Sequence, residues 1–192
     1  MIVGVLLAAG AGARFGGGKL LAPLEDGIPV GVRSARLLRS SVDRVLAVVR
    51  PGDATLEALL RAEGLEVRPF PGALEGMGAS LAFGISAAPA ADGWVVALAD
   101  MPFVRPETVA TVVQTLTTGA AIVAPAYRGR RGHPVGFAAT LIAELVRLEG
   151  DAGARSVLLR HESEVVLVEC DDPGILRDVD EPCDLNIARR TD

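Results

Sequence analysis

Two cations and five glycines share one short segment near the start of the chain. It reads Leu7-Ala8-Ala9-Gly10-Ala11-Gly12-Ala13-Arg14-Phe15-Gly16-Gly17-Gly18-Lys19-Leu20-Leu21 and follows an apolar stretch, Ile2 to Ala8, that suits a buried strand. Backbone N–H groups in a glycine-rich turn can approach phosphate oxygens closely, and Arg14 and Lys19 supply countercharge. The loop departs from two well-known phosphate loops. GxGxxG would need glycine in place of Phe15, and GxxxxGK[ST] would need glycine in place of Ala13 and Ser or Thr in place of Leu20.

Four further segments carry polar chemistry. In Pro71 to Leu81, Gly78, Ala79 and Ser80 are expected to open a helix, and the small residues let a flat ring lie against the main chain. A nucleophilic serine is disfavoured because GxSxG is not satisfied there: Ala82 follows Leu81. Asp100 ends an apolar run in Leu98-Ala99-Asp100-Met101-Pro102. A carboxylate there is costly unless it caps a helix or holds a cation, and it lies too far upstream of Pro106 to cap. Metal ligation is therefore expected of Asp100. The segment Tyr127 to Phe137 gathers Arg128, Arg130, Arg131 and His133; arginine forks suit a phosphate or a planar acceptor-rich ring, and a solvated hairpin tip is the alternative. In Arg177 to Leu185, Asp180 can cap a last helix at Pro182 and can also face Asp100 across a Mg²⁺, which normally takes one or two protein carboxylates.

Continuous apolar runs alternating with amphipathic segments must position these residues, the pattern of parallel strands covered by helices on both faces. Strands are expected at 2–8, 44–49, 65–68, 94–99, 121–124, 134–137 and 165–169. Asp53 caps a helix carrying Leu56, Leu59 and Leu60 that Gly64 ends, and Pro106 opens another carrying Val109, Val112, Val113 and Leu116 that Gly119 ends. A third helix is expected over 138–148 and a last short one from Pro182. The fold class is α/β, a single doubly wound, Rossmann-like, mostly parallel sheet over residues 1–192. Ligands then bind at the carboxyl ends of the strands, where all five segments lie.

Composition narrows the partners. With 192 residues, half of them apolar and 22% charged, the chain is neither disordered nor collagen-like. A net charge of −5 argues against a general nucleic-acid binder, and no apolar run reaches the roughly 18 residues of a membrane span. The N-terminus lacks the basic start of a signal peptide, and only Cys170 and Cys183 are present, so a soluble, cytoplasmic protein without disulfides is expected.

Taken together, these segments resemble the nucleotidyltransferase fold family of nucleotide-diphospho-sugar transferase type. That family includes the molybdenum cofactor guanylyl- and cytidylyltransferases. The LAAGxGxRFGGGKLL opening carries the likeness, while Gly76 to Leu81, Ala99 to Pro102, Gly129 to Val135, Gly150 to Arg155 and Asp178 to Pro182 look like the molybdenum cofactor cytidylyltransferase branch. The resemblance implies that Leu7, Ala8, Ala9, Gly10 and Gly12 hold base and ribose, that Arg14 and Lys19 hold the β- and γ-phosphates, and that Gly78 and Ser80 complete the pocket. It implies Mg²⁺ on Asp100 and Asp180, with Asp178 a rival for the second place, and puts Arg130, Arg131 and His133 toward the acceptor. Arg14, Lys19 and Asp100 would be catalytic. The implied reaction moves CMP from CTP to molybdopterin, with a molybdenum hydroxylase apoenzyme as a transient partner. Three rivals stand beside it: a relative using GTP or another phosphate acceptor, a carrier for finished cofactor, and a dinucleotide-dependent oxidoreductase. The missing GxGxxG and the Arg50-Pro51 that follows strand two disfavour the last.

Overall fold

The computed structural model describes residues 1–10 and 12–185. Ala11 of the opening motif and residues 186–192 of the expected single domain lie outside them. The first strand, β1 (Ile2–Ala8), is apolar at every position because both its faces are covered. Ile2, Leu6 and Ala8 join one buried cluster and Val3 and Val5 the other. The same alternation divides β2 (Arg44–Val49), where Val45, Ala47 and Val49 face one cluster and Leu46 and Val48 the other.

The remaining strands are β3 (Glu66–Pro69), β4 (Gly93–Leu98), β5 (Ile122–Tyr127), the two-residue β6 (Arg130–Arg131), β7 (Val135–Ala138) and β8 (Val165–Glu169). They run in the order β3-β2-β1-β4-β7-β5, with β6 and β8 both paired to β5. Pairing is parallel for β1 with β2 and β4, for β2 with β3 and for β5 with β8. The inserted β7 is antiparallel to β4 and β5, and the β5–β6 hairpin is antiparallel too. The mostly parallel sheet is thus observed, with one reversed strand in its middle. The chain passes from β3 at one edge to β4 beyond β1, so the switch point falls between β1 and β4 and opens a crevice there.

Helices α1 (Val30–Arg39), α2 (Ala54–Ala62) and α4 (Pro106–Thr117) pack on one face through Val30, Ala35, Leu38, Leu56, Leu60, Val109, Val112 and Leu116. Helices α3 (Met77–Ser86), α5 (Ile142–Leu145) and α6 (Arg155–Arg160) cover the other through Leu81, Ile85, Leu145, Val157 and Leu158. The Asp53 side chain accepts from the Leu56 N–H at 3.3 Å, as its capping place requires, and α4 starts at Pro106. The helix expected over 138–148 is shorter: a 3₁₀ turn at Ala139–Leu141 runs into the four-residue α5. The segment after Pro182 is likewise a 3₁₀ turn, Pro182–Leu185.

Candidate active site

Three glycines in succession shape the loop after β1. Gly16, Gly17 and Gly18 have φ of 87°, 95° and 66°, a left-handed run that residues with a Cβ avoid. The Gly12 carbonyl accepts from the N–H groups of Phe15 and Gly17, at 3.1 and 3.2 Å, and folds the loop back. Lys19 follows at the start of a 3₁₀ turn and returns to the end of β1.

The Lys19 ammonium meets two carboxylates. Its Nζ donates to Asp100 Oδ2 at 2.7 Å and to Asp180 Oδ1 at 3.2 Å, and Arg14 Nη1 reaches Asp180 Oδ2 at 2.7 Å. Burial works against the charge on Lys19, but the hydrogen bonds and charges of Asp100 and then Asp180 outweigh it and raise its pKa. Asp100 is carried just past β4. The Val179 N–H donates to the Asp100 carbonyl at 2.8 Å, which delivers Asp180 from the far end of the sequence. Asp178, by contrast, lines a separate cavity with Arg130 and Arg177, and burial, aided by the charges of Asp180 and Asp100, raises its pKa.

The tail that brings Asp180 is locked by backbone contact. The His133 N–H donates to the Ile175 carbonyl at 3.0 Å. A Cβ on Gly132 would stand 2.3 Å from that carbonyl oxygen, and one on Gly174 would stand 2.0 Å from the Phe103 oxygen.

A cleft of about 340 Å³ opens beside Lys19, lined by Leu7, Ala8, Ala9, Gly10, Ser80 and Asp100. Gly12 lines an adjoining depression of about 240 Å³ that shares Ala8, Gly10 and Lys19 with the cleft. Gly78 acts by packing rather than by lining. Its N–H donates to the Gly150 carbonyl at 2.7 Å, and a Cβ there would come within 2.5 Å of the Glu149 oxygen. The 149–151 turn therefore sits on the start of α3 and brings Asp151 to the cleft.

The acceptor set expected from sequence is divided. Arg131 and His133 line a second cavity, of about 430 Å³, whereas Arg130 lines the cavity of Asp178. Burial lowers the pKa of His133, against the pull of Asp100 and with help from Arg131, so the imidazole is neutral at ordinary pH.

Sequence reasoning missed Arg50, Asp151 and Arg155 as lining residues. Arg50 lines the cleft immediately after β2 and reaches the Ala9 carbonyl at 3.4 Å, with its Nε shielded and unpartnered. The rule that ligands meet the carboxyl ends of strands selects it.

The arrangement combines a glycine loop, two cations and two carboxylates at the switch point of a doubly wound sheet. A family model described as the MobA-like NTP transferase domain matches residues 4–166. This chain belongs to that family. Nucleotidyl transfer is its reaction class, and a nucleotide is its substrate. Two named relatives span nearly the whole chain. The purine catabolism protein PucB of Bacillus subtilis is 31% identical over 98% of this chain and 96% of its own length. The nicotine blue oxidoreductase of Paenarthrobacter nicotinovorans is 32% identical over 93% and 92%. Among solved structures, Rv0371c of Mycobacterium tuberculosis superposes with a TM-score of 0.82 at 29% identity, over 95% of this chain and 94% of that one. A structure of the same protein in complex with manganese gives 0.73 at 27%, over 88% of each. A CMP:2-keto-3-deoxy-manno-octonic acid synthetase complexed with CTP shares the fold, with a TM-score of 0.73 at 14% identity over 95% and 94%.

In the MobA-like family setting, Asp100 and Asp180 are the residues suited to a divalent cation. Their oxygens converge on one ammonium, and two carboxylates are what a magnesium-like ion takes from protein when phosphate oxygens and water complete its shell. Among the described residues no group of three or more His, Cys, Asp or Glu stands together as a closed metal cage. No helix among them is long and apolar enough to cross a membrane.

Proposed function

We propose that this chain transfers CMP from CTP to the terminal phosphate of molybdenum-loaded molybdopterin, releasing pyrophosphate, as one domain over residues 1–192. The product, a molybdopterin cytosine dinucleotide, serves a molybdenum hydroxylase that the chain contacts transiently. The observation that carries the reading is Lys19 held between Asp100 and Asp180 at the mouth of a cleft walled by Leu7 to Gly10. The base and ribose lie against that main chain and Ser80, with Gly78 fixing the wall. Arg14 and Lys19 hold the β- and γ-phosphates, and Asp100 and Asp180 hold Mg²⁺, which supplies charge neutralisation for the triphosphate when bound. A similar solved structure is a complex with manganese, which supports a divalent ion as ligand here. The cytosine assignment and the acceptor rest on the resemblance of the segments Gly76 to Leu81, Gly129 to Val135 and Gly150 to Arg155 to the cytidylyltransferase branch. A reduced cytoplasmic setting suits the free thiols of Cys170 and Cys183.

In the reaction an oxygen of the acceptor's phosphate monoester forms a bond to the α-phosphorus, and the bond from that phosphorus to the α–β bridging oxygen breaks. Pyrophosphate leaves with the electron pair. A monoester with a second pKa of about 6 is already ionised near neutrality, so the chain has no base to supply. Its residues position the two phosphates and neutralise the departing charge, the work done by Lys19 and Arg14.

The test is pyrophosphate release with Mg²⁺ and molybdenum-loaded molybdopterin, comparing CTP, GTP, ATP and UTP. Release with CTP alone supports the reading, release with GTP moves it to the guanylyl reaction, and none from folded protein overturns it. One relative is named an oxidoreductase, so NADH and NADPH consumption is followed in the same samples. Reduced-nucleotide turnover without pyrophosphate release would favour that rival class.

A further inference from the structure

The nucleotide cleft and the 430 Å³ cavity share the wall residues Leu7, Met77 and Leu98. Away from that wall the second cavity has an apolar floor, to which α3 gives Leu81, β4 gives Val96, β7 gives Val135 and Phe137, and α6 gives Leu158. Arg131 and Arg155, both exposed, complete its lining with two guanidinium groups. Among the described residues neither makes an ion pair or a hydrogen bond, whereas Arg33, Arg36, Arg61, Arg68 and Arg160 each pair with a carboxylate. His133 adds a shielded Nδ1 without a partner.

Two local features build this lining. Successive residues of a strand point to opposite sides, so in β6 Arg131 faces this cavity while Arg130 faces the one beside Asp178. The 149–151 turn, held on Gly78, places Asp151 in the nucleotide cleft and, four residues on, Arg155 in the neighbouring cavity. The negative charge of Asp151 disfavours the triphosphate on that side, and the cations suited to the triphosphate, Arg14 and Lys19, lie with Asp180 and Asp100. An apolar floor beside two unpaired guanidiniums fits a flat body that lays one face on that floor and ends in a phosphate.

We propose that Arg155 and Arg131 form a two-arginine clamp for the terminal phosphate monoester of the acceptor, whose body lies on the Leu81, Val96, Phe137 and Leu158 floor. The inference rests on the proposed reaction only in taking the acceptor to be a phosphate monoester. Clamped by two of its oxygens, the monoester presents the third across the shared wall. That oxygen bonds to the α-phosphorus as the α–β bridge breaks and pyrophosphate departs with its electrons.

The experiment compares the full chain with Arg155→Ala, Arg155→Lys and Arg131→Ala. Steady-state rates with molybdopterin and CTP give the two Michaelis constants separately. Loss of one charge-assisted contact should raise the acceptor KM about ten- to a hundredfold in each alanine variant, with thermal melting unchanged. The CTP KM should stay within about twofold of wild type. Arg155→Lys should recover part of the loss, since an ammonium keeps the charge without the fork. An unchanged acceptor KM, or an equal rise for CTP, overturns the clamp. If wild type shows no turnover with molybdopterin, the functional reading fails and the clamp is tested separately, by calorimetric titration with phenyl phosphate. Binding by wild type and its loss in Arg155→Ala and Arg131→Ala sustain the clamp; no binding by wild type, or equal binding by all three proteins, overturns it.

Discussion

Replacing Lys19 by methionine keeps most of the apolar stem and removes the ammonium, leaving Asp100 and Asp180 facing each other with no charge between them. The side chain of Lys19 is 11% exposed, and those of Asp100 and Asp180 are 23% and 25% exposed. Even at the dielectric of bulk water, contacts of 2.7 and 3.2 Å correspond to about 1.5 and about 1.3 kcal/mol. The desolvation of the ammonium offsets part of this, so Lys19→Met should destabilise the fold by about 1–3 kcal/mol. Urea unfolding of wild type, Lys19→Met, Asp100→Asn and the double variant isolates the pair. The double variant should lose less than the two single losses combined, by at least about 1 kcal/mol. Turnover should fall about 10²- to 10³-fold, as on loss of one preorganised electrostatic donor, measured as single-turnover pyrophosphate release at saturating CTP. The raised pKa fixes the sign of the pH effect. The ion pairs contribute in full below the unfolded value of 10.5 and are lost only as pH rises through the folded one, so neutral-pH assays see a charged Lys19 throughout. A coupling under about 0.5 kcal/mol, or turnover within about threefold of wild type, would refute the reasoning.

Asp100→Asn should abolish metal-dependent pyrophosphate release while circular dichroism stays native, because Asp180 still pairs Lys19; full activity at ordinary Mg²⁺ would count against a metal role. Gly132→Ala forces a Cβ against the Ile175 carbonyl and should destabilise by about 1–3 kcal/mol while raising the CTP KM, since the tail that carries Asp180 must shift; unfolding and nucleotide titration check both effects. His161, held by Glu164 at 2.7 Å and Glu144 at 2.8 Å, has its pKa raised, first by the Glu164 hydrogen bond and then by that of Glu144. Its contribution is full below 6.5 and fades as pH rises through the folded value. The melting-temperature gap between wild type and His161→Gln should therefore shrink between about pH 5.5 and about pH 8.5, and a constant gap contradicts the pairing.

Strands written as continuous apolar runs were the most legible elements. The expected bounds of β1, β2 and β8 coincide with those observed because nothing polar interrupts their runs. Helix α1 was not legible. It starts after Pro29 with no side-chain cap, and Val30, Gly31 and Val32 open it with poor helix formers, so packing of Ala35 and Leu38 on the sheet has to hold it. The helix expected over 138–148 shows the converse, since a periodic apolar face does not tell a 3₁₀ turn from an α-helix. At the site, residue types were readable but their meeting was not. Lys19 and Asp180 are 161 positions apart, and their approach depends on the Val179 to Asp100 hydrogen bond. The parting of Arg130 from Arg131 follows from the pleat of a two-residue strand that no periodicity announces. Arg155 entered the sequence reading only as the end of a motif, and the turn packed on Gly78 gives it a place.

The tail threaded past Phe103 and Gly132 also divides the site between distant parts of the chain. Among the described residues the last strand ends at Glu169, yet the carboxylate that meets Arg14 and Lys19 lies eleven residues beyond it. A fragment stopped just after β8 would therefore lack the carboxylate that faces Arg14 and Lys19 together with the buried Ile175 and Val179, so the same few residues serve both the charge of the site and the packing of the core.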